Sequence, residues 1–457
     1  MRKSRLFLVI NCFILSMGFL LNGLYYPSWS QNHSKNNFLN YNLFLNSSNS
    51  STWSQIWEVD SSIGEEIVTD LSNNVYIVGR IYYNFDNSIF NIKYDKYGYE
   101  QWNITWKFNS TCYIAGFTAD TQYNIYNLVK LHYQEKSILM KIDKTGKSVW
   151  NKTIAGDAEC IYLDKHDNIY ISGYIWDWVR DELHIYLKQF NKNGISQCNH
   201  SFLMDDIINL SGVPCTIMVD HLNQTYVAGI LFTSGFKDGD YHSFGMYHPA
   251  PLIFTYIYNS SGNLVSYNMW RILDYYISTS MIFDTSSNLY LIGADKLISR
   301  NIILKYSSSG HLLLTTPDWQ KDAIVDSSEF WERITLDSYN NIYCCGTNHY
   351  FTGKSNSEFY LVKFNNEGNF EFDGAWNNLC DAWCRDIYID SNLSVYLTGD
   401  RDKRALVLKN PVFGEFSNPP YINPYITINL IITLASIFGI LGMVGVYFYI
   451  RFRKRSH

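Results

Sequence analysis

The sequence predicts an all-β fold, and three observations carry that expectation. Tyr 37, Phe 27 and Trp 13 make the 457-residue chain 17 % aromatic, and flat or branched side chains suit a pleated, half-buried surface. Charged residues amount to only 17 % and hydrophobic residues to 47 %, the reverse of a disordered chain. The third observation is a strand-and-turn pattern that recurs along most of the chain.

That pattern is Asp, three residues, usually Asn, one residue, Tyr, two residues and usually Gly. It reads Asp70-Asn74-Tyr76-Gly79, Asp164-Asn168-Tyr170-Gly173, Asp220-Gln224-Tyr226-Gly229, Asp284-Asn288-Tyr290-Gly293, Asp337-Asn341-Tyr343-Gly346 and Asp390-Ser394-Tyr396-Gly399. A degenerate copy, Asp120-Asn124-Tyr126, carries Val129 where the Gly belongs, which makes seven. Each copy is followed by a short β run ending in Lys and an aromatic or apolar residue, then a turn and Gly, as in Lys93-Tyr94-Asp95-Lys96-Tyr97-Gly98 and Lys141-Ile142-Asp143-Lys144-Thr145-Gly146. Trp102 and Trp150 stand four residues after their glycines and open a further strand.

The chemistry is that of hairpins. Asp and Asn close turns through their side chains, and Gly supplies positive φ where the chain reverses. Seven aspartates recurring once per repeat lie about a blade apart, too far for one metal ion, so they are read as turn formers. Four strands per repeat are the content of one propeller blade, and such a sheet cannot bury both faces alone. The expectation is an all-β, seven-bladed β-propeller ectodomain over residues 52–413. The seventh copy runs out at Leu408-Lys409-Asn410-Pro411 without its last strand. A matching segment, Trp53-Ser54-Gln55-Ile56-Trp57-Glu58-Val59, precedes the first copy and is expected to complete blade seven and close the ring.

These residues resemble the SBBP-type (seven-bladed β-propeller) repeat family, whose repeats read D-x-x-x-N-x-Y-x-x-G, then K-[YF]-D-x-x-G-x-x-x-W. The resemblance covers roughly residues 53 to 413. Copy two lacks its Gly, and copies three to six carry Cys198, Ser266, Leu314 and Phe372 at the expected Trp position. It implies a surface or secreted repeat protein and no particular activity.

Both ends read as membrane-related. Arg2, Lys3 and Arg5 precede the apolar run from Leu6 to Leu21, the pattern of a signal peptide over residues 1–23. An Asn/Ser-rich leader (24–51) follows. Residues 414–425, with Pro419, Pro420 and Pro424, form a stalk. The span 426–450 has no formal charge and is long enough, at about 1.5 Å per residue, to cross a hydrocarbon core of about 30 Å. Arg451, Arg453, Lys454 and Arg455 then place the tail, 451–457, in the cytoplasm by the positive-inside rule. The expectation is a single-pass cell-membrane protein with its propeller outside. Ala435, Gly439, Gly442 and Gly445 would let two such helices pair as a homodimer.

The net charge is −6, and removing the three cations of the first segment and the four of the last leaves −13 for the body. That balance disfavours nucleic acid as a partner. Eleven Asn-x-Ser/Thr sequons, from Asn32 to Asn392, are glycan acceptors if the host glycosylates its surface.

Candidate binding residues cluster in the loops after the Tyr-x-x-Gly strand: Tyr82, Tyr83 and Phe85, then Trp176 and Trp178, then Tyr350 and Phe351. On one face of a propeller such aromatics suit sugar stacking or a protein hot spot. An insertion, Ser234 to Pro251, adds Asp238, Asp240, His242 and His248 and could contact a partner or a cation. Glu65, Glu66, Asp157, Glu159, Glu332, Arg333, Arg385 and Asp386 are expected along the central channel. Eight cysteines follow Cys12, and in an exported chain an even number suggests disulfides. Cys380 with Cys384 is the favoured local pair. Adjacent Cys344 and Cys345 could form the strained ring found in quinone-cofactor propeller dehydrogenases, whose tryptophan docking motif Asp143 to Trp150 also resembles. No metal, cofactor or catalytic residue is expected. The reading is a cell-surface recognition or adhesion protein for an extracellular protein or glycan. The alternatives are a glycan-active or quinone-dependent propeller enzyme and a structural envelope component.

Overall fold

The computed structural model describes residues 52–410 apart from 83–87, 133, 178, 180–181, 204–209, 234–247, 250–251, 272–274, 296–300, 317–326, 351–355 and 377–380. The signal, leader, stalk, membrane span and tail of the sequence reading lie outside the described residues. Among the described residues, no helix is long and apolar enough to cross a membrane.

Seven antiparallel sheets form the blades, in chain order, of a β-propeller. In blade one the strands run Ser62–Thr69, Val75–Ile81, Ser88–Tyr94 and Glu100–Lys107 from the axis outward. The second strand is apolar on both faces because blades pack on either side of it, whereas the outermost strand alternates exposed and half-buried residues. Adjacent blades share apolar clusters: Tyr76, Val78 and Ile89 of blade one, for instance, pack with Cys112, Ile114 and Ile125 of blade two.

Blade seven is composite. Its strands Ala382–Ile389, Val395–Arg401 and Arg404–Lys409 are completed by Trp53–Ile56, which pairs Trp53 with Lys409 and Ile56 with Leu406. The Trp57 N–H continues the pairing to the Ala405 carbonyl at 2.9 Å. The expected closing strand is therefore present.

The repeat residues form one structural unit. In blade one, Asp70 Oδ1 accepts the N–H groups of Ser72 and Asn74, while Oδ2 accepts from Asn74 Nδ2 at 2.8 Å and Tyr76 Oη at 3.1 Å. The same backbone bonds recur at Asp120, Asp164, Asp220, Asp284, Asp337 and Asp390. The repeat lysine lies over the tyrosine ring, as with Lys93 on Tyr76 and Lys141 on Tyr126. The aspartates are thus turn formers, as expected.

Three residues after each of these aspartates the backbone is left-handed: Asn73, Tyr123, Asp167, Asn223, Ser287, Asn340 and Leu393 all have φ between 60° and 69°. Short polar side chains tolerate that region better than bulky ones. Leu393→Asn should therefore stabilise the protein by about 0.5 kcal/mol, read as a higher denaturant midpoint at unchanged m.

The glycine of Tyr-x-x-Gly departs from expectation. It lies inside the second strand and has ordinary negative φ; among the described residues the positive-φ glycines are those of the second half-repeat, Gly98, Gly146, Gly194, Gly262, Gly310 and Gly368, together with Gly156 at the crossover from blade two to blade three. Each innermost strand is irregular beside it, six of the seven with a one-residue bulge, as between Gly64 and Glu66 opposite Gly79. The preceding carbonyl is thereby pressed onto the glycine: a Cβ on Gly79, Gly173, Gly229 or Gly399 would fall within 3.0 Å of the backbone oxygen of Ile63, Asp157, Val213 or Trp383. An aromatic ring covers each from another side. In blade two Val129 holds this position, fully buried and opposite Ile138 of the third strand.

Tryptophans latch blade to blade. Trp53, Trp102, Trp150 and Trp270 lie on Gly98, Gly146, Gly194 and Gly310 of the following blade, and the Trp53 and Trp102 indoles donate to the Lys96 and Lys144 carbonyls at 3.1 and 3.0 Å. In blade four Ser266 holds the position where the Trp is expected. Trp270, four residues further along the same strand, performs the contact instead, and Leu314 does so in blade five.

Candidate functional site

The two ends of the ring differ in kind. At one end lie the Asp turns between first and second strands and the Gly turns between third and fourth. At the other lie the loops between second and third strands and the crossovers between blades. These loop-end connections vary from the single residue Gly156 to the stretch 234–251.

Tyr82 stands at the loop end of blade one and is 44 % exposed. Burial of part of its ring and the nearby Asp400 carboxylate push its phenol up. Trp176 is half-buried at the end of the second strand of blade three, three residues before Val179, which is 95 % exposed. Tyr350 ends the second strand of blade six, at the same end of its blade. Tyr83, Phe85, Trp178, Phe351, Asp238, Asp240 and His242 lie outside the described residues. Of the insertion, the structure describes His248–Pro249, a short strand on the channel edge of the innermost strand of blade five, with His248 opposite Ile277. The sequence offered no signal for this pairing. It ties the returning end of the longest loop to the channel mouth.

The inner-strand charges meet near the axis, as expected, but as pairs between blades. Lys130 of blade two donates to Glu159 of blade three at 2.5 Å and lies 3.4 Å from Asp157. Arg385 of blade seven reaches Glu332 of blade six at 3.2 Å. Arg333 of blade six lies 3.3 Å from Glu66 of blade one and 3.7 Å from Asp386 of blade seven. Asp386 in turn accepts the Ile67 N–H of blade one at 3.0 Å. Lys130, Tyr174 and Asp400 belong to this set, and Arg80 pairs with Glu65 within blade one, although sequence reasoning did not single them out.

Glu66, Glu159, Tyr113, Cys160, Cys215 and Arg333 border a cavity of about 220 Å³ inside the ring. Burial pushes the Glu66 carboxyl up to about 8 against the opposing pull of Arg333. Burial likewise raises Glu332 to about 7 and Asp386 and Asp400 to about 6. Between its ordinary value of 4.5 and about 8, folded Glu66 holds a proton that the unfolded chain has released. Stability must then fall as pH rises across that window, and the other three carboxyls act in the same direction. Thermal melts should show a lower Tm at pH 8.5 than at pH 5, with Glu66→Gln flattening the difference.

Cys344 and Cys345 are both free thiols and point to opposite faces of blade six. Cys344 packs with Ile292 and Ile303 of blade five, and Cys345 with Leu397 and Leu406 of blade seven. Strand alternation thus corrects the expected vicinal ring, which needs both sulfurs on one side. Cys384 is a free, buried thiol; its expected partner Cys380 lies outside the described residues. Among the described residues no group of three metal-ligating side chains gathers.

No family model matches the sequence, and no curated protein matches it. Solved structures with a similar chain path include virginiamycin B lyase from Staphylococcus aureus, at 10 % identity and TM-score 0.47, covering 79 % of this chain and 98 % of that one. The polysaccharide lyase Uly1 aligns at 12 % identity and TM-score 0.47, covering 76 % and 89 %. Sqt1 from Chaetomium thermophilum aligns at 8 % identity and TM-score 0.47, covering 79 % and 100 %. Two are lyases by name and the third is not, and similarity at this level carries no statement about activity; the seven-bladed fold stands on the chain's own sheets.

Proposed function

We propose that this protein is a cell-surface recognition module whose propeller presents its loop end to an extracellular protein or glycan. One observation carries the reading: the chain enters and leaves the ring at the end opposite the variable loops. Trp53 pairs with Lys409, and both side chains donate to the Lys96 carbonyl in a third-to-fourth strand turn of blade one, at 3.1 and 3.3 Å. A stalk over 414–425 and an anchor over 426–450 would then hold the turn end toward the bilayer and the loop end away from it. The turn end is uniform, and its aspartates are committed to their own turns. Variable loops on a rigid scaffold are the usual carriers of binding function. The repeat residues support the SBBP-type assignment, which fits a surface protein.

The test is retention of the fluorescent ectodomain, residues 32–420, on host cells and on a glycan library. Tyr82→Ser combined with Trp176→Ser should weaken retention at least about tenfold, the scale of removing one or two aromatic anchors. Tyr97→Ser combined with Tyr339→Ser, at the turn end, should leave it unchanged. The opposite pattern would overturn the proposal.

A second reading, an extracytoplasmic enzyme working in the channel, draws on the Glu66 carboxyl beside the cavity, raised into the range of a general acid at neutral pH. Native mass and the absorption spectrum separate the two readings. A discrete excess mass or a chromophore band favours the enzyme, and a mass of protein plus glycans favours recognition.

A further inference from the structure

We infer that Cys345 and Cys384 form a disulfide that staples blade six to blade seven. Cys345 lies in the second strand of blade six, Ile342–Tyr350, and Cys384 in the innermost strand of blade seven, Ala382–Ile389. Both are fully buried and belong to one apolar cluster. The two backbones are held together beside them, because the Cys384 N–H donates to Thr347 Oγ1 of blade six at 3.2 Å. The Cys384 side chain lies close enough to the Cys345 thiol to act on it across the junction. Two short side chains packed in one cluster on strands held this close can close to an S–S bond of about 2.05 Å. The pairing also explains what local spacing missed: the partner of Cys384 comes from a neighbouring blade, about 40 residues away in the chain.

The chemistry is thiol–disulfide exchange with a small-molecule disulfide such as oxidised glutathione. One cysteine thiolate attacks the donor, forming a mixed disulfide and releasing one glutathione thiolate. The second cysteine thiolate attacks the protein sulfur of that mixed disulfide and releases the other glutathione. One S–S bond breaks and one forms; the protein loses two electrons and two protons, and the donor takes them up. Burial pushes the Cys345 thiol far up and shields it from solvent, so exchange belongs to folding, before blades six and seven close. The cross-link then ties the composite blade to its neighbour, so that loss of the closing strand Trp53–Ile56 cannot also release the innermost strand of blade seven.

The test uses the full chain in detergent, unfolded, refolded in a mixture of oxidised and reduced glutathione, and alkylated under denaturing conditions. Peptide mapping without reductant should show the two peptides that hold these cysteines joined. The link should persist in Cys344→Ala and Cys380→Ala and vanish in Cys345→Ala and Cys384→Ala. Because refolding is done in vitro, the outcome does not depend on where the cell places the protein. Reductant should lower the Tm of the refolded wild type by several degrees and leave that of Cys345→Ala unmoved. Alkylation of both thiols in refolded wild type would overturn the inference, as would a link that disappears with Cys344 or Cys380.

Discussion

Deleting Trp53–Glu58 should open the ring and cost about 6 kcal/mol or more. The segment supplies the whole outermost strand of blade seven, and its two tryptophans join blades seven and one: Trp53 stacks within 5.9 Å of Tyr94 and covers Gly98, and Trp57 lies 4.3 Å from Phe90. Truncating a packed Trp costs about 3–5 kcal/mol on its own, and the deletion also leaves the Arg404–Lys409 strand as an unprotected edge. The expected result is a broadened melt at much lower temperature, with early proteolysis in blade seven. Trp53→Ala together with Trp57→Ala should reproduce most of the loss without shortening the chain. A deletion variant that melts with the wild type would show that blade seven closes without its donated strand.

Gly399→Val should be nearly as damaging, at about 3–5 kcal/mol. A Cβ there would collide with the Trp383 carbonyl across the bulge and with the Phe359 ring of blade six. Neither is the free end of a flexible chain, so relief requires backbone movement at a blade junction. Val129→Gly in blade two provides the contrast: it asks for a glycine where the chain already holds a valine, and it should cost only about 1–2 kcal/mol through lost burial and added chain entropy. Denaturant unfolding of the two variants decides between close approach and positive φ as the reason for the glycine. Gly399→Asn, which tolerates positive φ but carries a Cβ, should fail like the valine.

Much of the fold was legible because each blade repeats the same local physics. An aspartate that caps its own turn, a tyrosine that returns a hydroxyl to it and a lysine over the ring all lie within one hairpin pair, so their spacing appears in the sequence. The closing strand was legible for the same reason, as a repeat fragment missing at one end and present at the other. The mid-strand glycine was legible as a position but misread as a turn, because the bulge that demands it belongs to another strand. Trp270 was missed because a shift of four residues along a strand preserves the face while breaking the spacing.

The candidate site was legible mainly as residue types. Aromatic loops could be named, and strand order then assigned Tyr82, Trp176 and Tyr350 to one end. The cysteine pairs were not, since adjacency in a strand separates Cys344 from Cys345, while ring packing brings Cys345 to Cys384. Blade count, turn chemistry and the order of closure follow from the chain alone, because these are periodic and local. Packing of blade on blade sets which buried charges face each other and which thiols come near. It also ties His248–Pro249 to the channel edge and sets the first and last strands of the ring, where Trp53 pairs with Lys409, to begin and end opposite the variable loops. Those contacts join residues as far apart as Glu66 and Arg333, and their energies depend on burial and distance across blades, which no local spacing encodes.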